Sequence, residues 1–249
     1  MALTGIEIFK LLPRTNCGEC GIPTCLAFAM ALAAGKTELE RCPHLSDETR
    51  SKLSEASAPP VLPVTLGAGE TAIKIGAETV MFRHEKRFEN PPGIALLISD
   101  TMSEEEVIAR IRKTQDLQYQ RAGVRLNSKL VALRADSGNA ETFACLADKV
   151  ASFDVNIILV SEDPSLLAAG VKACSDKKPL LYTATEKNSD AVVSIAREFD
   201  CPVVARADSL EALAELSAKL AAAGIKNIVL DTGATEAKQA LQDLSLIHI

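Results

Sequence analysis

The sequence predicts an α/β protein in which a small N-terminal cysteine-bearing domain precedes an incomplete TIM (β/α) barrel of about six of eight units. Three observations lead there. Six short apolar runs recur between residues 94 and 232, with helical segments between them. Four of the seven cysteines fall within residues 17–42. Between these regions SAPPVLP (57–63) holds three prolines and reads as a linker. The expected organisation is a cluster-binding domain at 1–57, a proline-rich linker at 58–63 and a partial barrel at 64–243. The last six residues, 244–249, are expected to be a foreign tail. They read LSLIHI, a string encoded by one frame of a common sequencing adapter, so His248 carries no information and the natural chain is expected to run on.

The elements follow in order. Thr4 and Glu7 form a T-x-x-E capping box ahead of Ile8, Phe9, Leu11 and Leu12, and Pro13 stops that short helix. After the cysteine loop, LAFAMALAAG (26–35) predicts an apolar helix ending at Gly35. SDETRSKLSEA (46–56) predicts a surface helix with Ser46 as N-cap. Short strands with glycine turns should follow the linker, and the G-x-G of LGAGET opens no helix. IALLIS (94–99), LVALRA (130–135), NIILVS (156–161), LLYTAT (180–185), PVVARA (202–207) and NIVLDT (227–232) are continuously apolar, as strands buried on both faces are. EEEVIARIRKTQDLQ, ETFACLADKVASF, DAVVSIAREF and SLEALAELSAKLAAAG are helical, the last with Ser209 and Gly224 as its caps. Repetition without a glycine-rich phosphate loop favours a barrel over a dinucleotide-binding sheet.

Cys17, Cys20, Cys25 and Cys42 have the spacing C-x2-C-x4-C-x16-C. Zinc ribbons use two C-x2-C pairs, whereas here three cysteines are close and the fourth is remote and followed by Pro43. That arrangement favours a 4Fe-4S cluster, with structural zinc and four unligated thiols as alternatives. Gly18 and Gly21 allow a close loop, and Ile22, Leu26 and Phe28 are candidates for a dry shell. A domain of this size has little core of its own, which a bound metal would offset.

Cys145, Cys174 and Cys201 stand alone and read as small buried hydrophobes. His44 reads as an exposed histidine and His84 as part of a solvated charged run. Asp100, Asp136, Glu162, Thr185, Arg206 and Asp231 end the predicted strands. No nucleophile–base pair or ligand spacing links them, so they are expected to cap helices, and no catalytic residue is assigned. A net charge of −6 and the absence of tryptophan argue against nucleic acid and anionic membranes as partners. Clustered cysteines without a signal peptide point to the cytoplasm.

TNCGECGIPTCLAFAMALAAGK, ASAPPVLPVTLG, FRHEKRFENPPGIALLISD, KPLLYTAT and GIKNIVLDTG together resemble one family. It is the large (gamma) subunit of the corrinoid/iron–sulfur protein, from the acetyl-CoA decarbonylase/synthase system of the reductive acetyl-CoA pathway of carbon fixation. The resemblance implies a 4Fe-4S domain tethered to a TIM barrel, a C-terminal corrinoid (cobalamin) domain and a heterodimer with a small barrel subunit. It implies that cobalt, as Co(I), takes a methyl group from methylpterin on a methyltransferase. The methyl group then passes to acetyl-CoA synthase/CO dehydrogenase, while the cluster returns Co(II) to Co(I). In this sequence the residues implied to hold the cluster are Cys17, Cys20, Cys25 and Cys42. The likeness stops before the barrel closes and before a corrinoid domain. A pterin-binding methyltransferase barrel and a ferredoxin-like electron carrier are the alternatives.

Overall fold

The computed structural model describes residues 4–33, 37, 39–46, 49–50, 53, 61–79, 87–88, 90–116, 118–121 and 123–248. The chain divides into two compact units, Met1–Leu62 with Gly76–Asn90, and Pro63–Ile75 with Pro91–Ile249. His84, Gly35 and Pro59–Pro60 fall outside the described residues.

In the first unit α1 (Gly5–Leu11) starts at a complete capping box: Thr4 accepts from the Glu7 amide, and the Glu7 carboxylate accepts from the Thr4 amide at 2.8 Å. Helix α2 (Cys25–Ala33) packs on α1. Its contact runs where Gly5 has no side chain, because a Cβ there would collide with Met30. Ser46 accepts from the Thr49 amide at 3.3 Å, as an N-cap should. Among the described residues the core of this unit comprises Ile8, Leu12, Phe28, Ala29, Leu39, Cys42, Leu45 and Leu53. Leu26, expected in a dry shell, is instead 46% exposed. In a helix this short, only the face towards α1 and the turn after Leu39 can be covered.

In the second unit six strands form one parallel sheet: β5 (Ala95–Ser99), β8 (Leu130–Arg134), β9 (Asn156–Val160), β10 (Leu180–Ala184), β11 (Val203–Arg206) and β12 (Ile228–Asp231). Each neighbours the strand of this sheet that precedes it in the chain, so the order never reverses. A doubly wound sheet reverses its order at a switch point, and this one does not. The connecting helices are α3 (Glu104–Asp116), α4 (Ala140–Ala151), α5 (Pro164–Cys174), α6 (Ser189–Phe199) and α7 (Leu210–Ala222). The sequence-based helix through residue 118 is too long. The chain leaves α3 at Asp116, and β6 (Gln118–Arg121) and β7 (Val124–Asn127) form an antiparallel hairpin turning at Gly123, φ +82°.

Alternate residues of each strand point to opposite faces, and each face has its own cover. One carries Val131, Leu133, Ile157, Leu159, Leu181, Val203 and Ala205 against Val107, Phe143, Leu146, Leu167, Val171, Val192 and Leu213 of the helices. The other carries Leu130, Ile158, Leu180, Val204 and Val229. It is covered by Val64 and Leu66 of β1 (Pro63–Leu66) and by Ile73 and Ile75 of β2 (Ile73–Gly76). Asn156 at the foot of β9 fixes this cover by donating to the Thr71 carbonyl at 2.8 Å. The strand pair β3 (Glu78–Thr79) and β4 (Arg87–Phe88) is antiparallel and falls in the first unit. Residues 244–248, expected to be foreign, continue helix α8 (Ala237–His248), with Leu244, Leu246 and Ile247 exposed.

Phe143 on α4 is fully buried, and Gly170 on α5 leaves room for its ring: a Cβ at Gly170 would stand 2.8 Å from Phe143 Cε1. Phe143→Ala should therefore lower stability by about 3–5 kcal/mol, the usual effect of emptying such a site. Cys145→Ala, on the exposed side of the same helix, should change it by less than about 0.5 kcal/mol. Urea unfolding followed by circular dichroism measures both.

Candidate metal centre

After α1 the chain turns through two residues with positive φ, Arg14 (57°) and Asn16 (49°). Arg14 lies over the Phe9 ring, 5.3 Å from its centroid. Asn tolerates this backbone region better than most residues, and here it also joins the two ends of the cysteine loop. The Asn16 side chain accepts from the Cys25 amide at 2.8 Å, and its own amide donates to Cys25 Sγ at 3.4 Å. Thr24 accepts from the Ala27 amide at 3.1 Å and starts α2. The loop itself turns at Gly18 (φ +74°) and Gly21 (φ +81°), closed by the Gly21 amide donating to the Gly18 carbonyl at 2.9 Å. A Cβ at either glycine would meet nothing within 4 Å, so these glycines serve backbone geometry and leave the loop open on one side.

Cys42 is buried and follows a 3-10 turn, Leu39–Arg41. Cys20 and Cys25 are partly buried against the same small core, with Ile22 beside them. Cys17 is exposed at the rim. Three of the four predicted ligands thus converge on one core, and the fourth stands at the solvent edge of the same loop. None is in a disulfide. This donor set fits an iron–sulfur cluster: thiols on a wrapping loop, a backbone N–H aimed at one sulfur, and apolar packing behind.

Beside Cys42, His44 had two readings in the sequence, an exposed histidine or a residue that tunes the metal site, and nothing there marked Glu19 as its partner. His44 is exposed, as expected, but its Nε2 lies 3.0 Å from Glu19 Oε2. The bond joins the loop to the turn after Cys42. Asn16 was equally unmarked, although an Asn one residue before a loop cysteine is the kind of signal that could have been followed.

The strand-end residues are not helix caps. Ser103 caps α3 together with Glu106, Asn139 caps α4, Asp163 caps α5 and Ser209 caps α7. Asp100 is buried and ties β5 to the β8 loop instead: it accepts from the Asp136 and Ser137 amides at 3.0 and 2.9 Å, and from Ser137 Oγ at 2.5 Å. Asp231 accepts from Tyr182 OH at 2.6 Å and from the Gly233 amide at 2.8 Å, with Arg206 Nε 3.9 Å away. Burial, then the bond to Asp231, pushes the Tyr182 hydroxyl up to about 12. Hydrogen bonds from Ser99 and Arg134 hold the Asp136 carboxyl below its ordinary value. Each acid is met by donors, so these contacts read as ties between strand ends.

Of the three lone cysteines, Cys174 and Cys201 are buried and Cys145 is exposed. Cys145 lies on the solvent side of α4, which its neighbours Phe143, Leu146 and Ala147, all buried, did not reveal.

Residues 12–44, which contain the four clustered cysteines, match the family described as "Putative Fe-S cluster". Residues 63–247 match the family described as CO dehydrogenase/acetyl-CoA synthase delta subunit, and the chain belongs to that family. Over the whole chain it is 44% identical to the corrinoid/iron-sulfur protein large subunit of Moorella thermoacetica, covering 56% of that protein. It is 33% identical to the acetyl-CoA decarbonylase/synthase complex subunit gamma of Methanothermobacter thermautotrophicus over 94% of this chain and 51% of that one. The gamma 2 subunit of Methanosarcina thermophila is 38% identical over 96% and 52%. The chain spans about half the length of the curated relatives it matches. Among the described residues no helix is long and apolar enough to cross a membrane.

Burial pushes the Cys174 and Cys201 thiols up to about 12, with smaller contributions from nearby negative groups. In native protein at pH 8 both should resist iodoacetamide while Cys145 is alkylated, as peptide mapping by mass spectrometry would show. Their folded values lie above the ordinary thiol value of 9.0. The stability they contribute is therefore complete below pH 9 and is lost as pH rises towards 12. Cys174→Ala and Cys201→Ala should each flatten that alkaline loss in urea titrations.

Proposed function

We propose that this chain is the iron–sulfur part of a corrinoid methyl carrier, with Cys17, Cys20, Cys25 and Cys42 holding one 4Fe-4S cluster. The observation that carries the reading is the convergence of Cys20, Cys25 and Cys42 on one small core around a glycine loop. The match of residues 12–44 to an iron–sulfur family supports it. When bound, the cluster supplies one-electron reduction. The residues around it have definable tasks. Asn16 holds the Cys25 backbone and directs an N–H at its sulfur; Ile22 and Phe28 keep water from the inner side; Gly18 and Gly21 leave the outer side open to a partner.

In the complete protein the electron would go to corrinoid cobalt, returning Co(II) to Co(I). The corrinoid could then carry methyl from a methylpterin methyltransferase to acetyl-CoA synthase in the cytoplasm, with a small subunit as partner. The names of the relatives and the family support that setting. The six-stranded sheet, wound in one direction with an apolar inner face plugged by a hairpin, is read as six units of an eight-unit TIM barrel. The limits 1–57, 58–63 and 64–243, and a foreign origin for 244–249, belong to the same proposal. A pterin site at the strand ends is less well supported, because Asp100 and Asp231 are already satisfied by protein donors.

Anaerobic reconstitution should yield four irons and four sulfides per chain, about what a cubane requires, with a reduced-state electron paramagnetic resonance signal. Alanine at Cys17, Cys20, Cys25 or Cys42 should remove or convert the cluster, whereas Cys145→Ala should leave it intact. One zinc without sulfide would defeat the assignment.

A further inference from the structure

Cys17, Glu19 and His44 place a thiol sulfur, a carboxylate oxygen and an imidazole nitrogen within 4.8 Å of one another, and all three side chains are exposed. Among the described residues this is the one group of potential ligands close enough to share a single ion. We propose that the cluster-free protein binds one divalent ion of borderline softness, zinc or ferrous iron, at these three residues with water in the fourth position.

Chemistry and geometry agree on the ion. Sulfur, nitrogen and oxygen donors together suit zinc and ferrous iron and do not suit calcium or magnesium, which take oxygen shells. Tetrahedral bonds of about 2.0–2.3 Å put ligand atoms roughly 3.3–3.8 Å apart. Glu19 and His44 are already at 3.0 Å, so only small rotations of exposed side chains are needed. The backbone holds two of the ligands in place: Cys17 and Glu19 flank Gly18 in the turn closed by the Gly21 amide at 2.9 Å. His44 follows Cys42 and Pro43 and is brought to the loop from 25 residues away. The space above Gly18 and Gly21 is open, which leaves room for the water ligand. Three protein ligands and an open position mark an exchangeable site, unlike the closed four-ligand sites of structural zinc.

The site shares Cys17 with the proposed cluster, so the two occupants exclude each other; this consequence rests on the cluster reading, while the ion site itself does not. A bound zinc ion would then hold Cys17 and the Cys42 turn together and obstruct cluster assembly.

Cobalt(II) is a suitable probe, because its absorption reports coordination number and its sulfur-to-metal charge transfer counts thiolates. Titrated into the full-length, reduced, cluster-free chain, it should bind one equivalent with the intensity of one thiolate. Glu19→Ala and His44→Ala should each weaken binding by about tenfold or more, at least the loss seen when support of a metal ligand is removed. Cys20→Ala/Cys42→Ala should leave cobalt binding within about twofold, although that variant cannot complete a four-cysteine set. Four-thiolate intensity in the unsubstituted protein, or affinity indifferent to Glu19 and His44, would overturn the proposal. In a second arm, one equivalent of zinc added before reconstitution should slow cluster formation in the unsubstituted protein and much less in Glu19→Ala/His44→Ala. Equal slowing in both would remove the competition. A chain that takes cobalt as described but never a cluster would sink the functional reading alone; a cluster without the cobalt site would sink only this inference.

Discussion

A parallel sheet has to be covered on both faces, and in the second unit that requirement governs the placement of most other elements. The helices supply one cover through Phe143, Leu167, Val171 and Leu213. The other face would meet water across Leu130, Leu180 and Val204 if β1 and β2 did not fold over it. Asn156, almost completely buried, fastens that hairpin through the Thr71 carbonyl. Gly67 has to be glycine for the same reason, since a side chain there would occupy the space of the Asn156 amide. The apolar cover sits at the start of the strands, while polar residues gather at their ends: Arg134 with Asp136, and Tyr182 and Arg206 with Asp231. That division into a covered end and a polar end follows from strand register, because Arg134 and Asp231 continue, on the same face, the rows begun by Leu130 and Val229.

The first unit has the opposite problem. Among the described residues its main apolar cluster holds eight buried side chains, one of them a cysteine. Local devices therefore matter more: the Thr4–Glu7 box, the Asn16 bridge to Cys25, and the Glu19–His44 bond across the loop. Each fixes a short segment by hydrogen bonding where burial alone would leave it loose. The Asn16 bridge also positions the Cys25 thiol, so the contacts that hold this unit's loop also place its sulfur. A metal joined to Cys20, Cys25 and Cys42 would tie together the segments that this core holds only weakly.

The two units depend on different sources of order. The sheet is fixed by burial and needs no ligand to explain its core. In the cysteine unit the described contacts that hold the loop are polar and partly exposed, so occupancy of the loop should influence its stability. Asp100 illustrates the contrast: it is buried and accepts three hydrogen bonds from the neighbouring loop, which suits a joint between strand ends.

By itself the sequence determined what local pattern can determine. All six apolar runs are strands at nearly the expected limits, because two-sided burial writes a continuous apolar run into the chain. Thr4, Ser46 and Ser209 cap as expected, because capping joins residues two or three apart. The cysteine spacing marked the loop that carries them. Tertiary structure decided whatever depends on distant partners. Asp100 meets Ser137, His44 meets Glu19 and Asn156 meets Thr71 across 37, 25 and 85 residues, separations that no periodicity encodes. Cys145 is exposed and Cys174 buried although both lie on amphipathic helices, because the side of a helix that is covered is settled by the neighbours it packs against. Leu26 turns outward for the same reason: in a small unit there is not enough neighbouring surface to cover every apolar side chain.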